Sequence, residues 1–235
     1  MPVTVAAAAL LLVTSALTAR GHDLRSSSTL QVTQRIAIAE RDVADLTRQA
    51  DALRSRISAA TAAVAGSDSH VTAAQAQAAA LAASAGLTAV TGPALSVALS
   101  DAPRGDQQRD LDAGASPDDL VIHQQDVQGV VNAMWAGGAE AMTIMGQRVV
   151  ATTAVRCVGN TLLLHGRVFG PPFVITAVGD VAGMSRALDA DPDVQIFQQY
   201  VAAYGLGYRL SRSPQVTLPA YDGPLELSHA KALLP

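Results

Sequence analysis

Residues 120–182 constrain the fold more than any other stretch, because an amphipathic helix is followed directly by several short apolar runs. Apolar side chains recur in this helix at i, i+3, i+4, i+7 and i+8, the spacing of a helix that packs on one face. The five residues are Val127, Val130, Val131, Met134 and Trp135. Gly137-Gly138 predicts the end of the helix, since glycine readily adopts the left-handed conformation found there. The stretch therefore predicts helices packed on a sheet, with Trp135 in the core.

The rest of the stretch predicts strands separated by glycine and proline. Gly159-Asn160 has the length and composition of a β-hairpin loop between strands at 155–158 and 161–164. A buried strand is predicted at 173–178, after two prolines that exclude a helix. Asp180 then predicts the N-cap of a second amphipathic helix, which ends at the following Asp-Pro pair.

Further strands complete an α+β pattern. They are predicted at 94–99, 141–145, 206–210 and 215–218, the last two separated by Ser213-Pro214, and a short third helix is predicted at 196–204. Without the inserted hairpin the order is βαββαβ, which is typical of a ferredoxin-like (split βαβ) domain. Two helices would then cover one face of an antiparallel sheet.

We assign residues 87–235 to this ferredoxin-like α/β domain. Within it, residues 101–119 hold six Asp residues together with Gly and Pro, and they predict a flexible acidic loop. The spacing of these acids lacks the glycine pivot and terminal Glu of a calcium-binding loop.

Residues 32–85 carry apolar residues whose spacing alternates between four and three. They are Val32, Ile36, Ala39, Val43, Leu46, Ala50, Leu53, Ile57, Ala60, Val64, Val71, Ala74, Ala78, Leu81 and Ala85. A sustained period of 3.5 predicts a coiled coil, so residues 23–86 are assigned to a coiled-coil stalk that forms a homo-oligomer through 32–85. Gly66 to Ser69 predict an interruption, and leave open one long coil with a weak point or two helices folded back.

Residues 3–19 form an uncharged, mostly apolar run. A bilayer-spanning helix needs about 20 such residues, with a lower limit of about 17. Residues 1–22 therefore predict a transmembrane or signal-anchor helix; a cleaved signal peptide and a buried soluble helix are the alternatives. Arg20 and Arg25 follow the run and no cation precedes it, which by the positive-inside rule argues against an outside C-terminal part.

The formal net charge of −4 and the absence of a basic stripe argue against nucleic acid as a partner. Arginine supplies nearly all of the basic residues, which we attribute to genome composition. Cys157 is the only cysteine, so an intramolecular disulfide is excluded.

Two sets of residues suggest chemistry, and each has a simpler interpretation. Cys157 with His123 or His165 has the residue types of a nucleophile and base, but a buried structural cysteine is favoured. His123 and Asp126 share a helix face and would supply two metal ligands, but capping of the helix is favoured. Phosphate-binding and nucleophile-elbow motifs are absent, so neither an enzyme nor a cofactor is expected.

Three arginines near the hairpin form the candidate ligand or partner patch. Arg148, Arg156 and Arg167 would lie on one side of the sheet, where guanidinium groups suit a carboxylate or a phosphate. Their simpler role is ion pairing with Glu140 and the acidic loop.

Several phrases resemble a known bacterial family. They are GPALSVALSDAP (92–103), VVNAMWAGGAEAMTIMGQRV (130–149), VRCVGNTLLLHGRVFGPPFVITAVGD (155–180) and YGLGY (204–208). They resemble the "domain of unknown function 881" family, also called uncharacterised protein family 0749. The resemblance implies a single-pass membrane protein with an extracytoplasmic ferredoxin-like domain. Because some members are encoded near cell-division genes, it also implies an envelope or division role. It supplies no catalytic residues, and the missing basic N-terminus departs from its pattern.

The function expected from these features is that of a structural or interaction protein of the cell envelope. It would be anchored in the cell membrane through 3–19, with the C-terminal domain extracytoplasmic, and would bind itself and an unknown envelope or division protein. The alternatives are an extracytoplasmic thiol- or His-dependent hydrolase and a sensor of an anionic ligand.

Overall fold

The computed structural model describes Leu10, residues 24–65 and residues 68–223. The predicted membrane segment at 3–19 lies, except for Leu10, outside the described residues. Among the described residues, no helix is long and apolar enough to cross a membrane. The chain divides into two compact units, residues 1–75 and residues 76–235.

The fold is α+β, as predicted, with a long helix followed by shorter helices and antiparallel sheets. The helices are α1 (Leu24–Ala65), α2 (Ser69–Ala82), α3 (Arg104–Asp112), α4 (Gln124–Ala136), α5 (Val181–Ala190) and α6 (Pro192–Tyr204). The strands are β1 (Val90–Ser100), β2 (Ala139–Ile144), β3 (Gln147–Arg148), β4 (Val155–Val158), β5 (Thr161–Leu164), β6 (Arg167–Phe169), β7 (Phe173–Gly179) and β8 (Gly207–Leu218). A 3-10 turn spans Pro117–Leu120.

Large apolar side chains at heptad positions of α1 are exposed. These exposed residues are Val43, Leu46, Leu53, Ile57 and Val64, with 46% to 65% of each side chain accessible. The predicted interruption agrees with the described residues on either side of it. α1 ends at Ala65, and the Asp68 carboxylate accepts a hydrogen bond from the His70 N–H (2.8 Å) where α2 begins.

The main sheet has the strand order β3-β2-β7-β1-β8, and all neighbouring strands are antiparallel. β1 is therefore central between β7 and β8. On one face, its residues Leu95, Val97 and Leu99 are fully buried, in the same cluster as the apolar stripes of α4 and α5. A smaller cluster that includes Ala94 and Val178 forms from the alternate residues, as the pleat requires.

α4 and α5 approach each other closely because two glycines lie at their contact. A Cβ built on Gly137 would lie 2.5 Å from Met184 Cα, and one on Gly183 would overlap the Gly137 carbonyl oxygen. Asp180 precedes α5, and its carboxylate accepts hydrogen bonds from Ala182 and Gly183 N–H, so the predicted N-cap is confirmed.

Trp135 does not close the core stripe of α4, although it was predicted to do so. It is 39% exposed, whereas Val127, Val130 and Met134 are fully buried. Eight residues rotate a helix by about 80° beyond two full turns, which places Trp135 at the edge of the stripe that Val127 begins. Its exposed position makes it available to line a surface cavity.

β8 is one strand of 12 residues where two were predicted on either side of Ser213-Pro214. The register between β1 and β8 shifts, since Gly92 pairs with Val216 but Ala94 pairs with Ser213. The resulting bulge takes in Pro93 and Pro214, neither of which has an N–H to donate to the ladder. A proline at a bulge therefore interrupts the register without ending the strand.

The prediction of a loop throughout 101–119 is wrong, because this segment contains α3 and the 3-10 turn. Two of its acids accept backbone hydrogen bonds: Asp119 accepts from Ser116 N–H (2.8 Å), and Asp101 accepts from Ile122 N–H (2.9 Å) across the segment. Leu120 is buried and holds the end of the segment against the core.

α6 begins at Pro192, four residues before the start predicted at Ile196. A proline at the first position of a helix loses no hydrogen bond, and the preceding Asp191 caps Asp193 and Val194 N–H. The Asp-Pro pair that was predicted to end one helix therefore also begins the next.

A second sheet of three antiparallel strands has the order β4-β5-β6. Val158 pairs with Thr161, which confirms the predicted hairpin loop at Gly159-Asn160. The chain then turns through His165 and Gly166, both with positive φ (49° and 77°), into β6, a strand that was not predicted.

Candidate functional site

The three arginines predicted to form one patch lie in different places. Arg148 is on β3 of the main sheet, whereas Arg156 and Arg167 are on β4 and β6 of the small sheet. Arg156 lies opposite Leu163 and Arg167 opposite Leu164, which are successive residues of β5. Successive side chains of a strand point to opposite faces, so these two guanidinium groups leave the small sheet on opposite sides. The predicted clustering is therefore wrong.

Arg148 is buried, with 6% of its surface exposed. Its Nη1 donates hydrogen bonds to the carbonyl oxygens of Thr88 (3.0 Å) and Pro219 (2.9 Å). Thr88 precedes β1 and Pro219 follows β8, so this side chain ties the segments that enter and leave the sheet. Burial lowers the pKa of Arg148, since the charged form loses its hydration.

A second set of contacts joins the same two segments. The Tyr221 N–H donates to the Gly86 carbonyl (2.9 Å), and the His165 and Tyr221 rings meet edge to face with centroids 5.2 Å apart. His165 Nε2 lies 3.1 Å from Thr153 Oγ1, whose oxygen also accepts the Val150 N–H (2.9 Å). Burial lowers the pKa of His165, and the charge of Asp222 acts in the opposite direction.

A cavity of about 350 Å³ lies beside Arg148. Its walls include Gly86, Trp135, Glu140 and Val150. Gly86 ends the turn after α2 with φ +76°, its N–H donating to Ala83 O and the next N–H to Ala82 O. This Schellman arrangement requires glycine and leaves the wall without a side chain at that point. The volume lies within the range of about 300–1,000 Å³ that is usual for small-ligand sites.

Cys157 is exposed, so the prediction of a buried structural cysteine is wrong. It lies on β4, an edge strand of the small sheet, and its Sγ accepts the Gln124 N–H (3.1 Å) at the start of α4. His123 Nε2 lies 2.8 Å from Asp118 O, and His165 pairs with Thr153. Within the described part of the chain, no hydrogen bond joins either imidazole to the thiol.

The Asp126 carboxylate accepts a hydrogen bond from the His123 N–H (2.8 Å), which agrees with the capping interpretation. Burial raises the pKa of Asp126, although this hydrogen bond and the charge of His123 oppose the shift. Residues 24–65 and 68–223 contain no group of three His, Cys, Asp or Glu side chains that could hold a metal ion.

Sequence reasoning paired Arg148 with Glu140 but did not place Gly86 and Trp135 beside it. Gly86 is far from Arg148 in the chain, and both line the cavity only because of the tertiary fold. The one available signal was the angular position of Trp135, at the edge of the apolar stripe rather than at its centre.

Comparison with known proteins places the α/β unit in a bacterial family. The family described as "Bacterial protein of unknown function (DUF881)" matches residues 77–231. The UPF0749 protein MT1871 of Mycobacterium tuberculosis (strain CDC 1551 / Oshkosh) is 29% identical over 132 residues, which cover 56% of this chain and 43% of the relative. The UPF0749 protein YlxW of Bacillus subtilis (strain 168) is 27% identical over 95 residues, which cover 40% of this chain and 38% of that protein.

The chain thus spans less than half the length of these two relatives. A crystal structure of an uncharacterized conserved protein from Mycobacterium tuberculosis is also similar, with a TM-score of 0.48 and 23% identity over 67% of this chain and 99% of that one. The family match covers more than half of the residues and confirms the resemblance seen in the sequence. The chain therefore belongs to the DUF881 (UPF0749) family of bacterial proteins.

Proposed function

We propose that this protein is a membrane-anchored structural or interaction protein of the bacterial cell envelope. In this proposal α1 associates with α1 of a second copy, and the α/β unit binds an envelope or division protein. The observation that carries the proposal is the exposed heptad stripe of α1. Membrane attachment through residues 3–19 and an extracytoplasmic α/β unit are supported by the apolar run and by what the family resemblance implies.

The side chains of the stripe have the chemistry of a two-stranded coil. Val43, Ile57 and Val64 take a positions of the heptad, and Leu46 and Leu53 take d positions. β-branched residues at a with leucine at d favour two parallel helices, because the a and d layers of a dimer pack side chains in different orientations.

The strength of association should be modest. Burying a large aliphatic side chain contributes about 1.5–3 kcal/mol, whereas alanine contributes little. Ala50 and Ala60 occupy core positions of the heptad between the larger residues. The coil would therefore form at high local concentration, which a membrane anchor provides.

The charged residues of α1 also favour the apolar stripe as the contact with a second copy. Arg48 pairs with Asp45, and Arg54 pairs with Asp51 at 2.8 Å, each three residues apart on the same helix. Their charges are thus matched within one chain, whereas the side chains of Leu46, Leu53 and Ile57 are 54% to 65% exposed. A second copy would cover this apolar surface.

We propose a ferredoxin-like topology for the α/β unit. Its support is the order of the four long strands, β2-β7-β1-β8, with antiparallel neighbours. α4 connects β1 to β2 in the chain, and α5 with α6 connects β7 to β8. This is the arrangement of a split βαβ repeated twice. β3 and the small sheet are additions that lie between β2 and β7 in the chain.

Self-association is tested by placing charge on the stripe. Leu46→Asp with Leu53→Asp in the full chain should convert a dimer to a monomer, because two carboxylates would be buried at each d layer. The measurement is sedimentation equilibrium of the detergent-solubilised chain at matched solvent density.

The matched control is Ala44→Asp with Ala52→Asp, which adds the same charge at exposed positions away from the stripe. This variant should remain dimeric. A wild-type chain that is monomeric at every concentration, or two double variants with equal mass, would contradict the proposal.

Orientation is tested with the single cysteine. Because Cys157 is exposed, a membrane-impermeant maleimide added to intact cells should label it if the α/β unit is extracytoplasmic. Cys157→Ser is the background control. Labelling that appears only after the cells are permeabilised would place the α/β unit in the cytoplasm and contradict that part of the proposal.

A further inference from the structure

Arg148 is a buried cation without an anion. Only 6% of its surface is exposed, and its two acceptors, the Thr88 and Pro219 carbonyls, are neutral. The ion pairs among the described residues do not include it. Buried charges in proteins are usually paired, since the loss of hydration is otherwise uncompensated. The lowered pKa of Arg148 has the same cause.

The two carbonyls use only one nitrogen of the guanidinium group. Both accept from Nη1, while Nε is buried and donates to no described residue. Nη2 likewise makes no hydrogen bond within the described chain. Nε and Nη2 form one edge of the planar group, with two parallel N–H bonds that match a carboxylate. The edge best suited to an anion is therefore the unused one.

This unused edge lies against the wall of the 350 Å³ cavity. A Cβ built on Gly86 would lie 3.8 Å from Nε and 3.9 Å from Nη2, and Gly86 lines the cavity together with Arg148. The same point is 2.8 Å from Val150 Cγ1, so the Val150 side chain lies beside this edge. Trp135 and Glu140 form other parts of the wall.

We propose that this cavity is a binding site for a carboxylate, held by the Nε–Nη2 edge of Arg148, with the apolar part of the ligand against Trp135. The carboxylate belongs either to a small organic acid or to the C-terminus of a peptide. Both offer the same planar anion, and the cavity volume fits a small molecule or the last residues of a chain.

Trp135 is the only tryptophan of the chain and lies in the cavity wall, so its fluorescence reports binding directly. The full chain is titrated with N-acetyl-Leu-Ala, with the C-terminal amide of the same dipeptide, and with propionate. The acid should change the fluorescence saturably, and the amide should bind at least about tenfold more weakly, because it lacks the charge that makes the paired hydrogen bonds strong. Equal binding of the acid and the amide, or no response to either acid, would overturn the proposal.

The relative affinity of propionate identifies the source of the carboxylate. Propionate affinity within about threefold of the dipeptide would assign the site to small organic acids, and a weaker response would assign it to peptide C-termini. Both outcomes support a carboxylate site.

Two substitutions separate recognition from folding. Arg148→Lys keeps the charge but loses the planar edge, and binding of N-acetyl-Leu-Ala should weaken at least about tenfold. Val150→Ala enlarges the cavity where the carboxylate enters, and binding should tighten while circular dichroism stays unchanged. Unchanged affinity in a folded Arg148→Lys protein would overturn the proposal. If Arg148→Lys does not fold, the Val150→Ala variant decides, and unchanged affinity there would also overturn it.

Discussion

α1 and α4 both carry an apolar stripe, but only α4 buries its stripe within its own unit. Val127, Val130 and Met134 of α4 are fully buried, whereas Leu46 and Ile57 of α1 are 63% and 65% exposed. The α4 stripe shares its cluster with residues of β1 and α5. The contrast teaches that an apolar period identifies the face of a helix to be buried and leaves open what buries it.

The spacing of the two stripes differs in a way that matches this contrast. The α4 residues follow a straight helix and drift off the stripe at Trp135, which is why that side chain is exposed. The α1 residues keep a period of 3.5 from Val32 to Val64, about 50 Å of helix. Such a seam stays in register only with a partner helix that supercoils around it.

The largest effect is expected in the core of the α/β unit. Phe173→Ala removes a fully buried ring and should lower the free energy of unfolding by about 3–5 kcal/mol. The measurement is urea unfolding of the full chain followed by Trp135 fluorescence. Leu53→Ala, at a position that is 54% exposed, should leave that transition unchanged. Equal losses of unfolding free energy in the two variants would contradict the contrast between the buried core and the exposed stripe.

A smaller loss is expected where α5 crosses α4. Gly183→Ala places a Cβ against the Gly137 carbonyl and should cost about 1–3 kcal/mol in the same unfolding experiment. Gly105→Ala is the matched control, because no atom lies within 4 Å of its added Cβ. That variant should be unchanged or stabilised by up to about 1 kcal/mol through helix propensity. Destabilisation by both would indicate that packing between the helices is not the cause.

The N-cap of α5 should contribute about 1 kcal/mol. Asp180→Ala removes the acceptor for the Ala182 and Gly183 N–H groups, so the midpoint of thermal unfolding should fall. Asp180→Asn keeps an oxygen that accepts these hydrogen bonds and should retain most of the stability. An Asn variant as unstable as the Ala variant would show that the carboxylate acts by its charge.

The smallest effect concerns pH. The pKa of His165 is lowered from 6.5 by burial, so the unfolded chain binds its proton more readily than the folded one. Stability is then complete above the unfolded pKa and falls as pH decreases below 6.5. The loss arises from one proton bound by one partly buried side chain. Thermal unfolding between neutral and acidic pH should show a shallower dependence in His165→Gln.

Features that depend on neighbours in the chain could be predicted. The hairpin at Gly159-Asn160 and the N-cap at Asp180 follow from the conformations that a few adjacent residues allow. The acidic segment was mispredicted because composition indicated solvent exposure, whereas Leu120 anchors it in the core. The sequence predicts two strands separated at Pro214, whereas β8 is continuous. Only the pairing with β1 shows that this proline lies at a bulge.

The candidate site depended on contacts that the sequence does not contain. Arg148 was identified as a ligand candidate from its residue type, but its grouping with Arg156 and Arg167 rested on proximity in the chain. Strand pairing sends those two to opposite faces of the small sheet, and brings Gly86 and Trp135 to the cavity beside Arg148.

The sequence by itself determined the family, the α+β class, the heptad and the faces of α4 and α5 that are buried. The family follows from the resemblance of its sequence phrases. The other features follow from periodicity and local backbone preference, which act over a few turns of chain. The tertiary structure decided that Arg148 is a buried cation with an unused edge, that Trp135 is exposed, and that Cys157 lies at the surface. The physical reason is that burial and hydrogen-bond partners are set by segments distant in the chain, and only strand pairing and helix packing bring those segments together.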